Sequence, residues 1–290
     1  MKKLSFVQRN ATGHWVGDGF PVRSIFSYND RAKELSPFLL LDYAGPANFP
    51  PTNKRRGVGE HPHRGFETVT IVYSGEVEHR DSSGGGGIIV PGDVQWMTAA
   101  GGIVHEEFHG PEFAKRGGVF EVVQLWVNLP AKNKMAPAGY QAITSAQIPA
   151  VDLPGDAGFV RVIAGRYGDT DGPARTFTPM NLWDVRLKAD RSAELKVPAG
   201  HTAALFVLKG RVRLGSSEII GEGEMAVFER EGERLVIEAA ESATLLLLNG
   251  EPIDEPVVGY GPFVMNSEDE IRQAVSDYQT GRMGRLREPA

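Results

Sequence analysis

Two residue pairs stand at the spacing that metal chemistry needs. In Glu60-His61-Pro62-His63-Arg64-Gly65-Phe66-Glu67 two imidazoles flank a proline just ahead of the β-branched run Thr68–Tyr73, and in His105-Glu106-Glu107 a third imidazole lies two residues before a carboxylate. Along a strand, residues i and i+2 project from one face roughly 6.5–7 Å apart, so each pair can converge on one ion. Folded side by side, the two pairs would offer three nitrogens and one oxygen, a set suited to a borderline divalent metal with positions left open for a ligand or substrate. Glu106 alternates to the face opposite His105, which makes Glu107 the preferred carboxylate. The chain contains no cysteine, so imidazole and carboxylate are the ligands available, and disulfides and a thiol nucleophile are excluded.

The neighbouring residues are read with their structural alternatives. Pro62 cannot donate to a ladder and belongs at a strand start or edge, near a barrel mouth. Strict alternation from His61 puts Glu67 on the inward face, as a carboxylate orienting a histidine, with a solvated strand residue as the competing reading. His79 is expected to be a strand-end histidine, with a pocket residue or extra ligand as alternatives. Arg64 reads as a structural charge partner rather than a substrate clamp, and His14 and His109 as satisfied core or surface histidines. Gly84-Gly85-Gly86-Gly87 reads as a hairpin loop, because no helix and no Lys-Ser/Thr follow it as a phosphate cradle would require. Lys54-Arg55-Arg56 is a solvated loop.

These side chains need strands to hold them. Thirty-five glycines and 19 prolines spread among short apolar runs, such as 68–73, 120–127, 203–208 and 244–248, favour many strands and turns. The class is all-β, a sandwich or barrel. A weak repeat doubles it: Tyr73-Ser74-Gly75-Glu76-Val77-Glu78 resembles Leu208-Lys209-Gly210-Arg211-Val212-Arg213, and Ile88-Ile89-Val90-Pro91-Gly92-Asp93 resembles Ile219-Ile220-Gly221-Glu222-Gly223-Glu224. Two copies of one β-domain follow. The boundary is expected in the Pro, Lys and small-residue stretch 130–139, giving a metal-binding domain at 1–134 and a second domain at 135–290. At the matching place the second copy offers only His201, and no His-x-Glu pair follows Gly223, so it carries no comparable site. A terminal helix is signalled by Ser267 and Glu270 at capping-box spacing, by Ile271, Ala274, Val275 and Tyr278 on one face, and by Gly281 as a stop.

A net charge of -6 excludes a nucleic-acid binder that works by phosphate neutralisation. The polar residues Gln8, Arg9 and Asn10 stand where a signal peptide needs an apolar core, and no run nears the 18 or so apolar residues of a membrane helix. A cytoplasmic, soluble protein that acts as a monomer is expected.

A duplicated small β-barrel with His-x-His and a later histidine on inward strands resembles the cupin superfamily. The string His61-Pro62-His63-Arg64-Gly65-Phe66-Glu67-Thr68, the later Pro91-Gly92-Asp93-Val94-Gln95-Trp96-Met97-Thr98-Ala99, the His105-x-Glu107 pair, and the downstream Gly250-Glu251-Pro252 and Gly261-Pro262-Phe263-Val264-Met265-Asn266 resemble the pirin family over nearly the whole chain. That resemblance implies a bicupin, two tandem double-stranded β-helix (jelly-roll) barrels with a C-terminal helix. It implies one Fe(II) per chain in the first barrel, on residues matching His61, His63, His105 and Glu107, with Zn, Ni, Cu or Mn as competitors for the same ligands. It further implies either quercetin 2,3-dioxygenase activity, in which O2 opens a flavonol ring and carbon monoxide is released with Glu107 also accepting the substrate's hydroxyl proton, or an iron-dependent binding role read by a protein partner. A purely structural metal is the third reading.

Overall fold

The structure, a computed structural model, describes residues 1–9, 12–215 and 218–286. They form two compact units, one made of Met1–Ala11, Lys33–Pro37 and Ala146–Pro252, the other of Thr12–Ala32, Phe38–Ser145 and Ile253–Ala290. Each unit pairs a seven-stranded antiparallel sheet with a four-stranded one, the two-layer jelly-roll arrangement. In the unit that carries the histidines, the large sheet runs Gly139–Ile143, Val94–Thr98, Phe66–Ser74, Gly118–Asn128, Phe38–Phe49, Phe20–Ser27, Gly13–Val16, and the small sheet runs Gly57–His63, Ile103–His109, Val77–Asp81, Gly86–Ile89.

The duplication holds bond by bond. Gly75 and Gly210 both turn with positive φ, at 89° and 83°. The Gly92 amide donates to Val72 O at 2.8 Å, as the Gly223 amide does to Val207 O at 2.8 Å. Beside them, Asp93 Oδ2 accepts from Val90 N and Glu224 Oε2 from Gly221 N. An acid one residue past the glycine thus closes the same turn in both copies.

The division after residue 134 is replaced by an exchange of terminal segments. Leu4–Gln8 pairs with Met225–Phe228 and completes the large sheet of the later unit, covering an edge that would otherwise present unpaired backbone groups. The terminal helix, Glu268–Gln279, belongs instead to the histidine-bearing unit, where Ile271 and Ala274 pack with Val104, Phe263, Met265 and Met283. Its cap is a shifted form of the expected box: Ser267 Oγ accepts from Glu270 N, while Glu270 Oε2 accepts from Ser267 Oγ and from the N–H of Asn266, one residue before the cap. Tyr278 departs from the expected stripe at 37% exposed, while the charged Asp277 is buried. The reason is Arg64, itself 3% exposed, whose Nη1 meets Asp277 Oδ2 at 2.9 Å and draws that carboxylate inward.

Nor is the stretch at 130–139 an open linker. Lys134 is 1% exposed, and its Nζ donates to Gly65 O, Asn128 Oδ1 and Val264 O at 2.7 to 2.9 Å. Burial pulls its pKa down to about 7, and three oxygens around one nitrogen are what an ammonium with three donors requires. The later unit encloses an apolar core that includes Trp183, Val160, Leu205, Leu247 and Ile237.

Candidate metal centre

Strand pairing brings the histidines together. Gly57–His63 is the edge strand of the small sheet, where Pro62 can do without a donor, and it runs antiparallel to Ile103–His109 with His61 opposite His105 and His63 opposite Ile103. Because both members of the His-x-His pair face one side, three rings meet: His61–His105 centroids lie 4.2 Å apart, His63–His105 4.8 Å and His61–His63 5.0 Å. One ligand nitrogen from each lies within 4.8 Å of the others. The ladder bulges after His105, so Glu107 falls opposite Val58 and lines the same cavity as His61 and His63. Glu106 faces the other way, into Arg80 at 2.7 Å, as alternation requires.

Ring orientation is set by the other nitrogens. His61 Nδ1 donates to Gly59 O at 2.8 Å, which leaves its Nε2 with the lone pair. His105 Nε2 and His63 Nδ1 are buried with no hydrogen-bond partner among the described residues. A buried unpartnered nitrogen costs about 1–3 kcal/mol, a penalty that a cation at the centre removes. Burial, followed by the charge of the adjacent His61, holds His63 and His105 well below the usual imidazole range, so both present neutral rings, the form that ligates. Three imidazoles therefore fit a divalent metal, and Glu107, whose carboxylate lies within 4.8 Å of His105 and His79, lines the cavity beside them.

Two sequence expectations change here. Glu67 does not face the histidines: Gly65, at φ 91°, turns a corner in which a Cβ would meet Val264 O at 1.9 Å, and this breaks the alternation between His63 and the next strand. Phe66 consequently takes the inward place, 5.2 Å from His63 between ring centroids, while Glu67 accepts from Thr98 Oγ1 at 2.7 Å on the opposite face, its pKa pushed up to about 7 by burial. His79 lies not at a strand end but in the middle of Val77–Asp81, 1% exposed. It forms a second group of candidate ligands with His105 and Glu107, yet both its nitrogens are already engaged, Nε2 with Asp81 Oδ2 at 3.1 Å and Nδ1 with Gln95 Nε2 at 3.0 Å. Among the described residues both candidate groups lie in this unit.

The cavity beside the histidines holds about 330 Å³. Phe20, Val22, Val58, Val122 and Trp126 make its apolar walls, and Asp42 and Gln124 add polar groups. Thr70 Oγ1 stands 3.0 Å from Gln124 Oε1 and 3.4 Å from Glu107 Oε1, tying the wall to the carboxylate. Burial pushes the Asp42 carboxyl up. None of these wall residues was picked out from sequence, although a lone acid in Leu39-Leu40-Leu41-Asp42 and a lone amide in Val122-Val123-Gln124-Leu125 are the kind of polar interruption that marks a lined cavity. His109, buried among Phe20, Phe49, Phe113 and Phe120 with Nε2 on Gly19 O at 2.8 Å, is a satisfied core histidine.

Residues 19–127 match the family model described as Pirin, and residues 182–284 the one described as Pirin C-terminal cupin domain. Pirin-1 of Arabidopsis thaliana is 39% identical, with 92% of this chain and 90% of that protein covered. The chain belongs to the pirin family. Among its bacterial relatives, a Pseudomonas aeruginosa protein named "putative quercetin 2,3-dioxygenase" is 59% identical over 97% of this pirin and 98% of its own length. A solved quercetin 2,3-dioxygenase from Acinetobacter baumannii is similar to this pirin with a TM-score of 0.95 at 53% identity, over 98% and 99% of the two chains. No helix of this pirin, among the described residues, is long and apolar enough to cross a membrane.

The depressed imidazoles carry a pH signature. The folded state holds His63 and His105 neutral while the unfolded chain protonates them near 6.5, so the unfolded state binds more protons below that pH. Stability of the metal-free protein is therefore complete above about 6.5 and falls as pH drops from there, by up to about 1.4 kcal/mol per pH unit for each ring. Urea midpoints between pH 7.5 and 5 should show this slope, shallower in His105→Asn; equal slopes would contradict it.

Proposed function

We propose that this pirin is a quercetin 2,3-dioxygenase-type enzyme in which His61, His63, His105 and Glu107 hold one Fe(II) per chain. The observation that carries the reading is the convergence of three imidazoles, two of them on the wall of an apolar cavity that also presents a carboxylate. Iron bound there would act as a Lewis acid and template for the oxygen chemistry. The chain's own residues do the rest. Val22, Val58, Val122 and Trp126 bury a flat aromatic and exclude water, and a volume near the small end of ligand pockets suits a flavonol or a related aromatic rather than a long chain. Asp42 and Gln124 can receive hydroxyl groups at the cavity wall. Glu107, 6% exposed beside the Thr70 hydroxyl, is placed to accept the proton of a substrate hydroxyl, leaving the anion that O2 attacks. Relatives named for this activity support the assignment at the level of substrate class.

The test is anaerobic loading with Fe(II), then quercetin and air. Loss of the flavonol absorbance with one iron per chain is expected; iron bound at that ratio with no loss of flavonol would overturn the enzymatic reading in favour of an iron-dependent binding protein.

A further inference from the structure

Outside the four candidate ligands, a buried chain of side chains leads from His105 to an exposed loop. His105 Nδ1 lies 3.3 Å from His79 Nδ1, His79 Nε2 lies 3.1 Å from Asp81 Oδ2, and His79, Asp81, Gln95 and His105 are all at most 4% exposed. Tyr140 stacks on His79 at 5.2 Å and 17° and donates to Gln95 Oε1. Proton positions follow from the ends of this chain. The Asp81 carboxylate has no proton to give, so His79 Nε2 carries one and donates it; Gln95, whose Oε1 accepts from the Tyr140 hydroxyl, turns its Nε2 to His79 Nδ1 at 3.0 Å, so Nδ1 is the lone pair. Facing that lone pair, His105 Nδ1 must be the N–H. The lone pair of His105 therefore sits on Nε2, the nitrogen that is buried with no partner among the described residues.

The geometry points to Asp81 and His79 as positioning residues that fix the tautomer of His105 and so set the metal affinity of the site. The inference rests on His105 being a ligand. A carboxylate acting through one imidazole on a second one also strengthens the second ring's donor nitrogen, as groups behind metal-bound histidines generally do. The arrangement further explains why the carboxylate is so firmly held. Asp81 Oδ1 accepts from Ser83 N at 2.8 Å, Ser83 Oγ at 2.6 Å and Gly85 N at 3.0 Å, so the loop pins one oxygen and aims the other at His79. A Cβ on Gly85 would meet Asp81 Oδ2 at 2.5 Å and Tyr140 Cβ at 2.7 Å, so this approach needs a glycine.

The pinned oxygen makes Asp81→Asn decisive. Three donors around Oδ1 require an oxygen there, so the amide nitrogen lands on His79 Nε2 and donates to it. The His79 proton moves to Nδ1, and the His105 proton is forced onto Nε2, the metal-facing atom. Imidazole 15N–1H correlation spectra of the metal-free full chain, with His105 assigned through its own substitution, should show its proton on Nδ1 in the parent and on Nε2 in D81N. Affinity for Ni(II), measured against a chromophoric chelator, should fall roughly 10- to 100-fold. Adding H79N, whose side-chain oxygen replaces the Nδ1 acceptor, should return the proton to Nδ1 and recover most of the affinity, which a merely structural role for Asp81 would not allow. Ser83→Ala, which removes one loop bond and keeps the charge, should change neither readout. A D81N protein with its His105 proton still on Nδ1, a double variant no better than D81N, or an S83A protein as weak as D81N would overturn the inference. Should D81N not fold, His79→Leu removes the acceptor without touching the loop, and a His105 that stays wholly Nδ1–H there would overturn it equally. A parent protein that binds no metal would sink the iron reading, while the spectra of the metal-free protein would still decide the tautomer.

Discussion

Replacing His105 by alanine is expected to leave a folded protein that holds no stoichiometric metal and turns over no flavonol. His105 is the ring on which the other two converge, at 4.2 and 4.8 Å from His61 and His63, and it belongs to both groups of candidate ligands. If four ligands share a binding free energy of about 10–16 kcal/mol, as in structural zinc sites, losing one removes about 3 kcal/mol, a hundredfold or more in affinity. The cost to the fold is smaller, because the deleted ring is one that burial already disfavours as a cation and whose Nε2 has no partner among the described residues. Metal content after dialysis, quercetin turnover and the urea midpoint separate these effects. A variant with full iron occupancy would remove His105 from the ligand set; one that loses activity only through unfolding would make its role structural.

Much of this centre was legible because strand geometry has a short period. His61-x-His63 and His105-x-Glu107 each need only two-residue alternation, and the ladder between their strands then places His61 directly opposite His105. The duplication was legible for a similar reason, since Gly75 and Gly210, and Gly92 and Gly223, mark turns with the same positive φ. What escaped the sequence depended on corners and on distant partners. Glu67 obeys alternation only if the strand is straight through Gly65, and the left-handed corner there turns it away from the site. His79 carried no visible reason to be central, because the register that sets it opposite Glu107, and the loop that delivers Asp81 to it, are properties of the folded sheet. The terminal segments were misassigned because chain order says nothing about which unit offers Leu4–Gln8 an open edge or Ile271 an apolar face. Resemblance to the pirin family added a fold and the activity proposed above, but the hydrogen bonds that decide which imidazole nitrogen is free are readable only from the folded structure.

The exchanged C-terminal segment yields the second large effect, since Asp277→Ala is expected to destabilise the histidine-bearing unit by about 3–5 kcal/mol. Burial pushes the Asp277 carboxyl up, but hydrogen bonds from Arg64, Gln273 and Arg282 outweigh it and hold the group below the usual carboxylate range, so it is an anion when it meets Arg64. Removing it leaves the Arg64 guanidinium, 3% exposed and with Nε lacking a partner among the described residues, as an uncompensated buried charge. A surface pair would contribute about 0–1 kcal/mol and fade with salt; this one should not. At 2–4 °C per kcal/mol for a unit of this size, the midpoint of its thermal transition should fall by roughly 10 °C, and by a similar amount at 0.05 and 0.5 M salt. Asp277→Asn, which keeps an oxygen for Arg64 but not the charge, should fall between the variant and the parent. Because Arg64 directly follows His63 and its backbone bonds both Pro262 O and Val264 N, release of the helix should also weaken metal binding in the folded protein. A loss of less than about 1 kcal/mol, or one that disappears in high salt, would show that the helix is held by its apolar contacts and that the Arg64–Asp277 pair is incidental to both the unit and its site.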